Sequence, residues 1–286
     1  MKAIAREHGA TPYMAFLAAF AALLARLSGD TDIPIGTPVA GRSRPELARL
    51  IGFFANTLVI RADLDGAPSF AAALERTRDT VLDALSRQDV PFERLVEALG
   101  VARDPSRNPL FQVAFAMRES DAGDLALAGA TVRRDPGRHG RAKFDLTLSL
   151  VDEAGGVTAH WEYCADLFDA ATIERMARYY ESLVAAFAHA PGASIEAASL
   201  VDEAMRRRIV VDANRTAADY PSATTVHARV AAQAAARPTA PAIGAIDYAT
   251  LDARANRIAH ALVAAGVRRG AFVGIARAKP ADIAVA

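Results

Sequence analysis

The chain is 286 residues long, 52% apolar, and carries 33 basic against 33 acidic side chains, for a formal net charge of zero. That length leaves room for one large domain or two smaller ones, and the apolar fraction excludes global disorder. The charge balance offers neither a basic stripe for nucleic acid nor a polybasic patch for a membrane.

The single cysteine, Cys164, excludes an internal disulfide and an all-cysteine metal cluster, which fits a cytoplasmic protein. Beside Tyr163 in a predicted strand, it reads as a small core hydrophobe. Thr11 and Pro12 read as a helix start, with Gly29 as the stop after Leu27. Phe16, Phe20, Leu23, Leu24 and Leu27 make this helix apolar nearly all round, so it should be buried on more than one side. The apolar run Met14 to Ala25 is shorter than the roughly 20 residues that span a bilayer, and the helix start ahead of it argues against a signal peptide.

Ile33 to Val39 is predicted as a strand, followed by a basic loop around Arg42 and Arg44 and a short turn opened by Pro45. Thr57 to Leu64 alternates as a second strand. Ser69 should cap a helix through Leu85, with Phe70, Leu74, Val81, Leu82 and Leu85 facing inward. Pro91 opens a short helix, Phe92 to Leu99, stopped by Gly100. Strands are expected over Phe111 to Met117, Leu125 to Arg133, Phe144 to Val151 and Val157 to Tyr163, the last two joined by a glycine turn. Asp169 should cap a helix whose Ile173, Met176, Tyr180, Leu183, Val184 and Phe187 recur at helical spacing.

From there the pattern loosens, so residues 1–194 read as one domain and 195–222 as a linker holding a short polar helix, Asp202 to Ile209. Residues 223–286 follow as helix (Thr225 to Ala236), short strand near Ala242, helix (Leu251 to Ala265) and strand (Phe272 to Ala276). Those elements are too few to close a core of their own.

General catalytic patterns are missing. There is no glycine-rich phosphate loop, no G-x-S-x-G turn, and no histidine pair at metal-ligand spacing. The six histidines are scattered and read as surface or half-buried residues, His139 and His160 being the least easily set aside. Arg42 and Arg44 fit either an anion site or a solvated turn. Asn56 and Thr57 can satisfy backbone groups at the mouth of a strand or meet a ligand amide. Asp89 beside Pro91 suits a helix N-terminus, and Arg107-Asn108-Pro109 suits a turn that aims the next strand.

Three stretches stand out together: Ile51 to Thr57 (I-G-F-F-A-N-T), Gln88 to Glu93 (Q-D-V-P-F-E) and Arg103 to Gln112 (R-D-P-S-R-N-P-L-F-Q). In this order they resemble the C-terminal half of a nonribosomal peptide synthetase condensation domain, with Ala55 in place of the usual valine and Arg87 where a histidine often stands. Gly36-Thr37-Pro38, Gly41-Arg42 and Phe144-Asp145-Leu146 are further pieces of the resemblance. Asn214, Thr216, Tyr220-Pro221, Thr225 to His227 and Asp247 to Arg257 resemble the entry to an adenylation domain, whose ATP-binding signatures this sequence does not contain.

The resemblance implies an α/β fold: the C-terminal lobe of a two-lobed domain of the chloramphenicol-acetyltransferase type, then an incomplete α/β adenylation start. It implies peptide-bond formation between thioesters carried on the phosphopantetheine arms of peptidyl and aminoacyl carrier domains. The partners implied are those carriers, the N-terminal condensation lobe and the rest of the adenylation domain, with no nucleic acid and no membrane. The catalytic histidine belongs to an H-H-x-x-x-D-G motif, and no His-His pair occurs in this chain. No catalytic residue, metal ligand or bound cofactor is therefore expected here; ATP and magnesium would belong to a complete adenylation domain. By position Arg42 is the arginine expected to pair with the motif's aspartate, and Asn56, Thr57, Gln88, Asp89, Arg107 and Asn108 are motif positions expected at the tunnel. A non-catalytic docking or scaffold fragment and a lobe of a coenzyme A-dependent acyltransferase are the rival readings.

Overall fold

In the computed structural model, residues 1–47, 49–102, 104–120, 129, 140–219, 224–276 and 285 are described. The predicted strand Leu125 to Arg133, and Arg103, His139, Tyr220 and Pro221, fall outside them or nearly so. The chain divides into two compact units, Met1–Ala213 and Asn214–Ala286.

The first unit opens with α1 (Lys2–Glu7) and α2 (Pro12–Ser28). Thr11 caps α2, its hydroxyl accepting from the Met14 amide, and Gly29 ends it in the left-handed region at φ +83°. Ten consecutive residues, Met14 to Leu23, are buried, as a helix apolar on all sides requires. It packs against α3 (Phe70–Ser86) and α5 (Ala170–His189) and over the sheet. Phe20 is the hub: its ring lies 5.8 Å from Phe115, 6.0 Å from Trp161 and 6.2 Å from Tyr180. The Tyr180 hydroxyl donates to the Phe16 carbonyl at 2.9 Å, so its own polar atom is satisfied inside the core.

The sheet comprises β1 (Asp32–Val39), β2 (Asn56–Asp63), β3 (Val113–Glu119), β4 (Leu146–Glu153) and β5 (Gly156–Tyr163), in the order β2-β1-β3-β4-β5. The three inner strands run parallel, and the two edges are antiparallel partners of their neighbours. Along β5, Thr158, His160 and Glu162 are exposed while Val157, Trp161 and Tyr163 turn partly inward, the alternation of a one-sided edge strand. Between β2 and β3 lie α3 and the short α4 (Phe92–Ala98).

Four expectations need correcting. β3 and β4 each begin two residues later than predicted, because Phe111 and Phe144 are not strand residues but plugs of the preceding loops. Leu82 is 52% exposed, whereas Phe70, Leu74 and Val81 of the same helix are buried. Cys164 lies half-buried just past β5, its amide bonded to the Asp145 carbonyl. Phe272 to Ala276 forms no strand, having no neighbouring strand among the described residues, and Phe272 is fully exposed.

Residues beyond α5 stay on the first unit. The otherwise unpaired amides of Phe70 and Ala71 at the start of α3 donate to Ala193 and Pro191. Arg26 donates to the carbonyls of Ile195, Glu196 and Ala198, each at 2.9 Å. A short helix, α6 (Glu203–Arg207), follows. The second unit holds α7 (Val226–Ala236), a small hairpin of β6 (Pro241–Ile243) and β7 (Ile246–Asp247), and α8 (Tyr248–Ala264) capped by Asp247.

Gly36 in β1 has no room for a side chain: a Cβ there would overlap the Phe111 ring. Phe111 is buried and cannot swing away, so Gly36→Ala should cost about 1–3 kcal/mol of stability through overpacking. Urea unfolding measures this, and adding Phe111→Leu to Gly36→Ala should recover part of the loss.

Candidate functional site

The three sequence signatures converge on one side of the sheet. The 40–55 connection leaves the end of β1 and returns as β2. Gly41 turns it with φ +63°, where a Cβ would overlap the Phe54 carbonyl. Arg42 folds back into this loop. Its guanidinium lies 4.5 Å from the Phe54 ring centroid and donates to the carbonyls of Leu47 and Gly52, the latter at 3.3 Å. Arg44 is exposed.

Asn56, the first residue of β2, clamps the second signature to the first. Its Nδ2 donates to the carbonyls of Gln88 at 2.9 Å and Val90 at 2.7 Å, and its Oδ1 accepts from the Phe92 amide at 3.1 Å. Three of the four hydrogen-bonding capacities of one amide are thus used on the bend that starts α4. Ser43 adds a bond from its hydroxyl to Asp89 at 3.3 Å. Thr57 pairs opposite Pro38 of β1.

The third signature is a built turn. Asp104 accepts from the Ser106 amide at 2.9 Å and hydroxyl at 2.6 Å, and Arg107 lies 3.1 Å from its other oxygen. Those Ser106 bonds first, and the Arg107 charge after them, hold the Asp104 carboxyl below the usual carboxylate range. Asn108 donates to the Lys143 carbonyl at 3.2 Å, and its own carbonyl accepts from Gln112 at 2.9 Å. Leu110 sits at φ +68°, with the Phe111 amide bonded to the Pro109 carbonyl at 2.9 Å, a tight γ-turn. That turn drives Phe111 into the protein, where its ring lies 5.7 Å from Phe92 and 5.1 Å from Phe144.

The structure therefore brings Arg42, Asn56, Gln88 and Asp89 together, and joins them to Arg107 and Asn108 through the Phe92–Phe111 contact. Their bonds run to backbone groups and to the side chains of Ser43 and Asp104. Arg107 and Asn108 line a 430 Å³ depression beside Leu110 and Val96.

A separate cleft of about 480 Å³ opens where β1, β3 and β4 end against α2 and α3. None of the seven expected site residues lines it. Its walls are apolar, with Val39, Leu58, Leu85 and Met117 among them. Its polar groups are Tyr13, Thr37, Ser149 and Arg118. The Tyr13 hydroxyl donates to Thr37 Oγ1 at 2.9 Å. Burial raises the Tyr13 pKa, against a smaller opposing effect of that bond, so the phenol stays protonated as a donor. No described histidine lines the cleft, and its polar groups offer hydrogen bonds and shape. Thr37 lies in the Gly36 to Pro38 stretch already singled out. Tyr13 gave no signal, since an aromatic in an apolar helix reads as core.

A sheet flanked by helices, a cleft at its strand ends and three loop signatures locked to one another define a class, and the comparisons name it. A model of the Condensation domain family matches residues 1–210. The chain belongs to that family, and the match does not extend over the second unit. A linear gramicidin synthase of Brevibacillus parabrevis is 42% identical over all of this chain and 4% of its own length. Phosphinothricin tripeptide synthetase PhsC of Streptomyces viridochromogenes is 42% identical, over all of this chain and 27% of its own. The chain thus spans only a small part of these relatives. Among solved structures, a four-domain nonribosomal peptide synthetase, holo-AB3403 bound to AMP and glycine, superposes with TM-score 0.74 at 26% identity, covering 93% of this chain and 22% of that one. The condensation domain from the Monacolin K polyketide synthase MokA superposes with TM-score 0.59 at 25% identity, covering 68% and 45%. No described helix is long and apolar enough to cross a membrane.

Asn56→Ala should lose about 1–3 kcal/mol, the range for leaving partly buried backbone groups unpaired. Asn56→Asp should do no better, because a carboxylate oxygen would then face the Gln88 and Val90 carbonyls. Chemical denaturation of both variants checks this; a neutral Asn56→Asp would contradict the bonding described.

Proposed function

We propose that this chain is the second half of a peptide-bond-forming condensation domain, acting within a nonribosomal peptide synthetase. The observation that carries the reading is the interlocking of all three family signatures by the Asn56 clamp and the Phe92–Phe111–Phe144 cluster. In this reading the first unit is the C-terminal lobe of a chloramphenicol-acetyltransferase-type pair. The cleft at the ends of β1, β3 and β4 is one wall of a tunnel between the lobes. Its apolar lining and its Tyr13 and Thr37 hydroxyls suit an acyl thioester on a carrier's phosphopantetheine arm, which needs shape and a few hydrogen bonds. The amine of the acceptor attacks the donor thioester carbonyl, the thiol leaves, and the product stays on the acceptor arm. The histidine that positions or deprotonates the amine comes from the H-H-x-x-x-D-G half. Arg42 is the candidate partner of that motif's aspartate, because two of its five donors are spent on the loop and the rest remain to pair.

The second unit is read as the start of an adenylation domain. In support, the relative from Brevibacillus parabrevis and the four-domain structure match this chain well past residue 210, whereas the MokA domain covers 68% of it. Residues around 195–222 would then join the two domains. ATP and magnesium would be handled only by a complete adenylation domain, and a cytoplasmic setting fits the single thiol.

The test is condensation between donor- and acceptor-loaded carrier domains. The chain alone should give no product above the uncatalysed rate, and fusion to a half-domain bearing His-His-x-x-x-Asp-Gly should restore product. In that fusion Arg42→Ala should lower turnover well beyond the Arg44→Ala control. Turnover by the chain alone would contradict the reading, and equal small effects of the two arginines would remove Arg42 from the site.

A further inference from the structure

The cleft beside Tyr13 opens where two strands part. β3 and β4 stay in register from Val113–Leu146 to Glu119–Asp152, whereas β1 and β3 pair only at Ile35–Val113 and Gly36–Ala114. Beyond Gly36, β1 has no ladder with β3; Pro38 there carries no N–H to extend one, and the 480 Å³ cleft fills the gap. On the β1 side, the Tyr13 and Thr37 hydroxyls bond each other at 2.9 Å. On the β3–β4 side stand Ser149 and Arg118. Ser149 lies opposite Ala116, two residues before Arg118, so the pair take diagonal positions on one face, within reach of a long side chain. Neither side chain has a hydrogen bond or ion pair among the described residues. Glu119, the next residue, points to the other face by strand alternation. Asp152 is engaged by Lys2 at 2.6 Å. Among the described residues, Arg118 is thus the one charged group lining the cleft, with no carboxylate in its walls.

A guanidinium beside apolar walls sets up a positive potential that the cleft's own groups do not cancel. Its forked donors match a carboxylate in shape as well as charge. His160, opposite Ser149 on β5, adds an imidazole one strand further along and no negative charge. Taking the cleft as the wall of a thioester tunnel, as proposed above, we infer that it selects an acyl group bearing a carboxylate, of the glutamyl or aspartyl kind. Arg118 pairs with that carboxylate, and the Ser149 hydroxyl donates a second bond to it. The acyl stem lies along Val39 and Met117. The Thr37 hydroxyl accepts from Tyr13 and keeps its own proton to donate to a carbonyl. The phosphate of a carrier's phosphopantetheine arm is an anion of similar chemistry, and the experiment separates the two.

The probes are stable amide analogues of glutamyl- and glutaminyl-pantetheine, which share a shape and differ by one charge. The third is the glutaminyl analogue phosphorylated at the end of its arm. Binding to the full 286-residue chain is followed by NMR titration at low ionic strength, where screening is weakest. The variants are Arg118→Gln and Ser149→Ala, with circular dichroism confirming that each is folded. The expected result is glutamyl binding at least about tenfold tighter than glutaminyl. That ratio should fall to within about twofold of one in Arg118→Gln and to an intermediate value in Ser149→Ala. Equal binding of the two analogues by the natural chain would overturn the charge selection and leave the cleft as a thioester wall. A glutamyl preference that survives Arg118→Gln would overturn the assignment of Arg118. A gain from the phosphate alone, lost in Arg118→Gln, would give the guanidinium to the arm and overturn the inference. Binding of none of the three would overturn both the selection and the reading of the cleft.

Discussion

Everything around the candidate site depends on where Phe111 goes. Leu110 takes a backbone conformation that side chains other than glycine's rarely adopt, at a cost of about 1–3 kcal/mol typical of such positions. The turn it makes delivers the Phe111 ring against Gly36, Phe92 and Phe144. Burying an aromatic ring contributes on the order of 2–3 kcal/mol, enough to offset that strain. One ring thereby joins four stretches distant in sequence: β1, the start of α4, the approach to β4 and its own loop. Without Gly36 the ring has no space, and without the turn it has no path inward.

Asn56 performs the polar counterpart of that packing. The bend at Gln88 to Phe92 cannot complete a helix or a ladder, so its carbonyls and amide need partners from elsewhere. A single side-chain amide supplies two donors and an acceptor with the right polarity for all three. The signature residues are therefore scaffold first. The separate 480 Å³ cleft takes its polar groups, Tyr13, Thr37, Ser149 and Arg118, from residues outside them. The cleft in turn depends on α2, because Tyr13 is placed by the first turn of a helix that is buried for ten residues.

Much of this was legible where local chemistry decides. Thr11, Pro12 and Gly29 bound α2 because capping and proline geometry act within a few residues. The Met14 to Leu23 burial follows from composition, since no face of that helix is polar. The starts of β3 and β4 were not legible. Phe111 and Phe144 are apolar and precede strands, yet each is withdrawn from the ladder by a contact with residues far away in sequence. For the same reason Asn56 read equally well as a ligand contact or as a structural residue. Its partners lie more than thirty residues away, and nothing local distinguishes the two. Arg42 showed its glycine-flanked setting but not its fold back onto Phe54. Tyr13 was hidden among apolar helix residues, its hydroxyl becoming informative only once β1 is packed beneath it. Phe272 to Ala276 shows the converse: β-forming residues alone make no strand without a neighbour to complete the ladder.

The central claim, that the signatures are locked together through Asn56 and the Phe111 cluster, is tested most directly by hydrogen exchange at the Phe92 amide. This amide lies at the start of α4, where helix geometry supplies no backbone acceptor, so protection there must come from Asn56 Oδ1. The account predicts slow exchange, comparable with amides in the β1–β2 ladder. Exchange at the rate of an open loop would contradict it.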